Sequence, residues 1–325
     1  MSTAFAKGRV VIIGGGAMGS LLAARLATAG IDATVIDTWR EHVEAIARDG
    51  LKVESDQGSE VHRINVTCDL APAATADFVV LLVKAYHSAD AMRSAAPLLQ
   101  PDAMVVSFQN GLGNEDIIAE TVGPDRTLAG SLYFGGNVVR PGVVRFSGQA
   151  EIALGALTAG GRSAAATLQT ILKRAGFTTL LSDDILAIKW QKALLNVGNS
   201  AISTILGLPV RVAADLPGVR AAMAASCAEG MEVARRSGIA LPPDKKASAY
   251  VGAGIDHHSR EHKVSMLLDI EAGKPTEIEF MNGAIVRYAE KLGLDVPINL
   301  VLTNAIRRIE TLAAAARREA SRNER

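Results

Sequence analysis

Four absences narrow what this chain can be. Charge is not in excess in either direction, with 34 basic residues against 34 acidic ones. A balanced chain lacks the basic face that nucleic acid selects and the polybasic segment that holds a protein on an anionic membrane surface. Cysteine is scarce: Cys68 and Cys227 are the whole supply. They have neither metal-ligand spacing nor the makings of a disulfide framework, which suits a reducing cytoplasm. No apolar run approaches the roughly 18 residues that a membrane-crossing helix requires. Internal repeats and low-complexity linkers are missing as well. The start, Lys7 and Arg9 followed by VVIIGGGAMGSLLAA, superficially mimics a secretory signal, but three consecutive glycines break the apolar segment. The chain reads as a soluble cytoplasmic protein, and 325 residues suit about two domains.

What is present begins with RVVII at 9–13, a short β-branched run of the buried-strand type. It passes into Gly14-Gly15-Gly16-Ala17-Met18-Gly19 and then into a stretch with helical spacing that stops at Gly30. A second strand over 33–36 ends at Asp37. Strand, G-x-G-x-x-G turn, helix, strand and acid together form the dinucleotide-binding fingerprint. Gly14 makes the tight turn, Gly16 lets the backbone approach a pyrophosphate, and Gly19 permits close helix packing. The helix start through Ala17 and Met18 offers free N–H groups and a positive dipole end to the phosphates. A carboxylate at Asp37 hydrogen-bonds the ribose hydroxyls of NAD and repels a 2′-phosphate. Arg40, three residues on, can instead clamp that phosphate, so NADP stays open while Asp37 leans to NAD.

Residues 42–48 read as a surface helix and 50–67 as a hairpin-rich stretch. DFVVLLV at 77–83 is another buried parallel strand, delivering Lys84 to the edge where ligands of such sheets lie. The strand at 104–108 brings Gln109-Asn110-Gly111 to the same edge, and strands follow at 131–136, 143–146 and 152–154. Glycines such as Gly135 and Gly136 suit close backbone approach to a ligand. A helix at 163–175 and a strand at 178–181 complete this half. From 183 onward helices dominate, with Pro242-Pro243 and 252–254 marking loops and a charged helical tail over 313–325. The fold class expected is α/β: a Rossmann-type dinucleotide-binding domain over 1–182, followed by an all-helical C-terminal substrate and catalytic domain over 183–325.

DILAIKWQKALLNVGNSAISTILG, residues 184–207, is apolar around most of a helix's circumference and should be buried. Lys192, Asn196, Asn199 and Ser203 nonetheless recur at three- and four-residue steps on one narrow stripe. A buried lysine must face a partner or a ligand, or shift its pKa. The stripe is therefore expected to form one wall of a polar cleft, with Lys189 the internal rival to Lys192. A later stretch, HKVSMLLDIEAGKPTEIEFMNGAI at 262–285, sets Ser265, Lys274, Thr276, Glu277 and Asn282 among core-like residues. Glu277 follows a Pro-Thr helix start, where an acid also complements a helix dipole. His257, His258 and His262 invite a metal reading, but no metalloprotease pattern accompanies them, and no metal is expected.

Taken together, GGGAMG from Gly14, VKAYHSAD around Lys84, FQNGLG around Asn110, KWQKALLN around Lys192 and SMLLDIEAGKPTEIEFMNG from Ser265 resemble the ketopantoate reductase (2-dehydropantoate 2-reductase) family over nearly the whole chain. The last two motifs, at this separation, are specific to that family. The resemblance implies hydride transfer from a nicotinamide, NADP or NAD, to the C2 carbonyl of a branched 2-oxo acid. It implies Lys192 as catalytic lysine and proton donor, and Glu277 as the acid that engages substrate hydroxyl and cofactor ribose. Asn196 and Ser265 match substrate-binding positions; Lys84, Asn110 and Gly136 match cofactor-side ones, with Asn110 also reaching substrate. Three departures stand out. The asparagine usual eight residues after the lysine is Ser200, beside Asn199; another, expected near position 210, is Val210; and the 2′-phosphate arginine is absent at Thr38. Three functions follow: reduction of ketopantoate in pantothenate biosynthesis, reduction of another 2-oxo acid or derived imine, or sensing of NAD(P)H without turnover. A sensor has no need of Lys192 and Glu277 together. Self-association as a homodimer stays open.

Overall fold

A computed structural model describes residues 8–256 and 258–323; Lys7, His257 and the last two residues of the tail lie outside them. The elements run β1 (Val10–Ile13), α1 (Ala17–Thr28), β2 (Ala33–Ile36), α2 (Arg40–Asp49), β3 (Leu51–Ser55), β4 (Gly58–His62), β5 (Asn65–Thr67), β6 (Phe78–Leu81), α3 (Ser88–Ala95), β7 (Met104–Ser107), α4 (Asn114–Val122), β8 (Thr127–Arg140), β9 (Val143–Ala156), α5 (Arg162–Arg174) and β10 (Thr178–Leu181). Helices alone follow: α6 (Ile185–Leu206), α7 (Val210–Ala214), α8 (Val219–Arg236), α9 (Ala247–Ala253), α10 (Ser265–Ala272), α11 (Asn282–Leu292) and α12 (Pro297–Asn323). This is the expected α/β class, a Rossmann-like half followed by an all-helical one. Backbone proximity divides the chain after Ile188, inside α6. Among the described residues no helix is long and apolar enough to cross a membrane.

In the first unit the strands lie in the order β4-β3-β9-β8-β7-β6-β1-β2-β5, with β10 beside β9. β1 pairs in parallel with both β2 and β6, and β7 and β8 continue parallel beyond β6. Chain order thus reverses between β1 and β6, which opens a crevice at their carboxyl ends. Alternate strand residues bury on opposite faces. Ile12, Val35, Val80 and Val106 join the core under α1 and α5, while Val11, Ile13, Val79, Leu81 and Val105 join the one with Met92 and Ile118. Covering both faces is why these strands are nearly continuous apolar runs rich in valine and isoleucine rather than alternating ones.

Three separate strands over 131–154 are corrected to two long ones, β8 and β9, joined as an antiparallel hairpin with register shifts at Leu132/Phe134 and Val138/Arg140. The polar, glycine-rich middle hid them, because irregular pairing carries the strands through residues that would not form a flat one. The surface helix expected over 42–48 is α2, but His42 at its start is fully buried. Residues 252 and 253, read as loop, close the short helix α9 instead.

The second unit packs α6, α8, α9, α11 and α12 around Leu194, Ile202, Met223, Cys227, Tyr250 and Ile306. A buried polar knot runs through it. Asn299 Nδ2 donates to Glu229 Oε2 at 2.7 Å and to the Ser226 carbonyl at 3.0 Å. Its Oδ1 accepts from Asn282 Nδ2 at 2.9 Å and from Ser226 Oγ at 3.1 Å. Glu229 also accepts the N–H groups of Ile298 and Asn299, each at 2.9 Å, closing the start of α12.

Candidate functional site

In the first unit, the turn at 14–19 lies in the crevice where β1 and β6 part. Gly14 has φ +112°, and a Cβ there would strike the backbone of Leu82 and Val83. A Cβ on Gly19 would strike the Gly14 carbonyl oxygen, so α1 starts tight against the turn. Gly16, the cap of α1, meets nothing within 4 Å. The main chain is therefore open to a ligand where the free N–H groups of the first helical turn, Ala17 to Gly19, begin. No acid stands in that turn to repel an anion. A dinucleotide's pyrophosphate fits this cradle on steric and electrostatic grounds.

Asp37 faces the same turn. Its Oδ2 accepts the Gly15 N–H at 2.5 Å, and its Oδ1 accepts the Trp39 N–H at 2.7 Å. Each carboxylate oxygen keeps a second lone pair for a ribose hydroxyl. Arg40 stands exposed at the first position of α2.

Beneath the turn runs a relay that the sequence did not single out. The Gly142 N–H donates to His42 Nδ1 at 3.1 Å, which leaves the imidazole proton on Nε2. Nε2 lies 3.2 Å from Ser20 Oγ, and that hydroxyl donates to the Gly15 carbonyl at 2.7 Å. Burial holds His42 below the ordinary histidine pKa of 6.5, with the Asp37 charge pulling the other way. A polar pair in apolar surroundings, Ser20 just after the last glycine and His42 at a helix start, was the available signal. Its partner Gly142 lies in the distant β8–β9 turn.

Lys84 and Asn110 reach this sheet edge from the ends of β6 and β7. Lys84 is half-buried and its carbonyl accepts the His87 N–H at 2.8 Å; Asn110 is exposed. Between them Gln109, placed at this edge by the sequence but with no role given, donates through Nε2 to the Val83 carbonyl at 2.7 Å and to Ser88 Oγ at 2.8 Å. Asn114 then closes the loop, donating to the Asn110 carbonyl at 3.1 Å. Gly136 has a packing reason to be glycine, since a Cβ there would come within 2.6 Å of Leu21 on α1. The structure thus gathers residues 14–19, Asp37, Lys84 and Asn110 about one sheet edge.

In the second unit, Lys192 and Asn196 lie half-buried on α6. Burial, then the neighbouring Lys189 cation, push the Lys192 ammonium down to about 7. Lys189 itself is 3% exposed, more buried than Lys192. The continuous cleft wall expected along this stripe is corrected at its far end. Asn199 and Ser203 are fully buried, and Asn199 Nδ2 donates to the Val251 carbonyl of α9 at 3.4 Å. Gly254 leaves room for that amide. Asn199 thus serves a helix contact, while Ser200, next to it, is 7% exposed.

Ser265 is exposed at the first position of α10, and Glu277 is half-buried in the connection beyond that helix. Glu277 is not a first-turn helical acid. It precedes a single 3-10 turn, Ile278–Phe280, and α11 starts only at Asn282. The reason is local: the Thr276 hydroxyl accepts the Ile278 N–H at 3.2 Å, turning the chain before a helix can form. His258 and His262 stack ring on ring at 3.7 Å, and among the described residues no metal-binding group of three acids, histidines or cysteines occurs.

This chain matches the sequence profile of ketopantoate reductase PanE/ApbA over residues 10–159 and that of the ketopantoate reductase PanE/ApbA C terminal over residues 184–310. It is 31% identical to the 2-dehydropantoate 2-reductase of Pyrococcus horikoshii, covering 95% of this chain and 100% of that one. A solved PanE/ApbA family ketopantoate reductase from Ralstonia eutropha superposes with TM-score 0.84 at 31% identity, over 94% of this chain and 99% of that one. D-mandelate dehydrogenase, solved with NADH and anilino(oxo)acetate, superposes with TM-score 0.87 at 26% identity over the same shares.

Proposed function

We propose, from the premise that the chain belongs to the ketopantoate reductase PanE/ApbA family, that it reduces the C2 carbonyl of 2-dehydropantoate to give pantoate in pantothenate biosynthesis. It is an oxidoreductase whose bound NADH or NADPH supplies the hydride. Residues 1–182 hold the dinucleotide and 183–325 the substrate and the acid–base groups. The observation that carries this reading is Lys192, half-buried beside Lys189 with its ammonium brought down to about 7.

Such a lysine is protonated and deprotonated in comparable amounts near neutrality, so it can give its proton to the carbonyl oxygen as charge develops there. Its residual positive charge stabilises that oxygen. Glu277 engages the substrate hydroxyl and the ribose, with Asn196, Ser200, Ser265 and Asn110 orienting the oxo acid. Residues 14–19 receive the pyrophosphate, Asp37 the adenosine ribose, and Lys84, Asn110 and Gly136 line the cofactor side. Asp37 supports NADH, and the exposed Arg40 is the cation that would support NADPH instead.

A second reading is favoured by Val210. It is buried in the apolar core of the helical unit where the family pattern expects an asparagine, which suits a 2-oxo acid less hydroxylated than 2-dehydropantoate. The likeness to D-mandelate dehydrogenase points the same way. Following NADH and NADPH absorbance with a panel of 2-oxo acids tests both. Highest kcat/KM on 2-dehydropantoate supports the first; preference for the 2-oxo counterpart of mandelate supports the second, and no turnover with any oxo acid removes both. The free Cys68 and Cys227 support a cytoplasmic setting. Exposed Leu300, Val301 and Leu312 along α12 support a homodimer, which light scattering would read as twice the 34.0 kDa chain.

A further inference from the structure

One helix grips the connection that carries Glu277 at three places. The N–H of Thr276, immediately before Glu277, donates to Glu310 Oε1 at 2.6 Å. Just beyond it, the carboxylate of Glu279 takes a two-pronged contact from Arg307, Nε to Oε1 at 2.6 Å and Nη2 to Oε2 at 2.8 Å. On the near side, Arg317 donates to the carbonyl of Gly273 and, at 3.4 Å, to that of Ile270. Arg307, Glu310 and Arg317 all belong to α12, at steps of three and seven residues, so they occupy one flank of it.

Gly273 is a separate mark of the same grip. Its φ of +71° disfavours a side chain, and a Cβ there would occupy the place of the Arg317 guanidinium. Thr276 is buried, and its hydroxyl already fixes Ile278, so the main chain on both sides of Glu277 is held. Exposed ion pairs such as Arg307–Glu279 contribute little to overall stability. The Glu310 contact differs in kind: it is a charge-assisted bond to a main-chain N–H next to the residue of interest.

We propose that Glu310 is a positioning residue for Glu277, with Arg317 and Arg307 as the outer grips, and that this flank of α12 sets the direction of the Glu277 carboxylate. The proposal rests on the reading of Glu277 as an active-site acid. Its test combines amide hydrogen exchange over residues 270–281 with steady-state kinetics for Glu310→Ala, Glu310→Gln and Arg317→Met, each alone and with Glu277→Gln. Glu310→Ala should speed exchange in this segment and lower kcat about tenfold while the KM for dinucleotide stays put. Glu310→Gln, whose amide oxygen still accepts the Thr276 N–H, should restore most of both. In the Glu277→Gln background Glu310→Ala should cost no further turnover.

Unchanged exchange in Glu310→Ala, or effects of the two residues that multiply in full, would overturn the proposal. Should Glu310→Ala not fold, Glu310→Gln and Arg317→Met carry the same comparison. If Glu277→Gln alone keeps wild-type turnover, it is the reading of Glu277 that fails, and exchange still decides whether α12 holds the segment.

Discussion

Gly15 donates its main-chain N–H to Oδ2 of Asp37 at 2.5 Å, so the carboxylate ending β2 also ties down the turn at the head of α1. On the proposed reading one residue thereby has two tasks, shaping the phosphate cradle and presenting oxygen to a ribose. Charge-assisted bonds of this kind contribute about 1.5–3 kcal/mol. Asp37→Ala should therefore raise the KM for NADH by about tenfold or more and blunt any preference for it over NADPH. Equal kcat/KM for NADH in wild type and mutant would show that the turn keeps its shape without the carboxylate.

Lys192→Ala should lower kcat by about two orders of magnitude or more, from losing acid catalysis and charge stabilisation together. Dinucleotide binding should survive. Because the proton donor must be protonated, kcat should fall as pH rises through about 7. The same depressed pKa has a stability sign. Between about 7 and the ordinary lysine value of 10.5 the unfolded chain holds a proton that the folded one does not. Unfolding free energy therefore rises with pH across that window. Lys192→Met should flatten the rise, and a denaturation series at several pH values reads it directly.

His42 gives a counterpart on the acid side. Buried and neutral, it accepts from Gly142 and faces Ser20 under the glycine turn. Its folded pKa lies below 6.5, so the unfolded chain takes up a proton first as pH falls. Its stabilising effect is complete above about pH 6.5 and is lost as pH drops toward the folded value. His42→Gln should remove part of the slope in melting temperature between about pH 7 and 5. It should also weaken dinucleotide binding at neutral pH. A slope identical to wild type would assign the acid sensitivity to other groups.

Legibility in the sequence follows the range of the forces involved. The glycine turn could be read because its requirements are local: φ of +112° at Gly14 and the closeness of Gly19 to its own turn. Strands under cover on both faces announced themselves by nearly continuous apolar runs, and α6 by its apolar circumference. His42 showed in the sequence only as a polar residue at a helix start; its role could not be read, since the group that donates to its ring nitrogen, Gly142, stands 100 residues away. Asn199 looked equivalent to Asn196 on a helical wheel, but α9 covers one and not the other. Glu277 was found by motif, whereas Glu310 and Arg317 could emerge only once α12 had been laid against its connection.

The helical unit has its own point of weakness at Asn299. Both hydrogens of its side-chain amide and both lone pairs of Oδ1 are used, by Glu229, Ser226 and Asn282, and the residue is fully buried. Asn299→Ala removes one partner from each of these groups at once, although Ser226 Oγ and Asn282 Nδ2 keep the Val197 carbonyl and Glu229 keeps two main-chain N–H groups. An orphaned buried polar group costs about 1–3 kcal/mol, and here several members of one network lose a partner together. The expected loss of unfolding free energy is about 2–4 kcal/mol by urea denaturation. Glu229→Ala frees the N–H groups of Ile298 and Asn299 at the head of α12 and should also destabilise. Because the two residues share a contact, the double mutant should lose less than the two single losses added. Strict additivity, or a loss below about 0.5 kcal/mol for Asn299→Ala, would mean that the knot does not act as a unit.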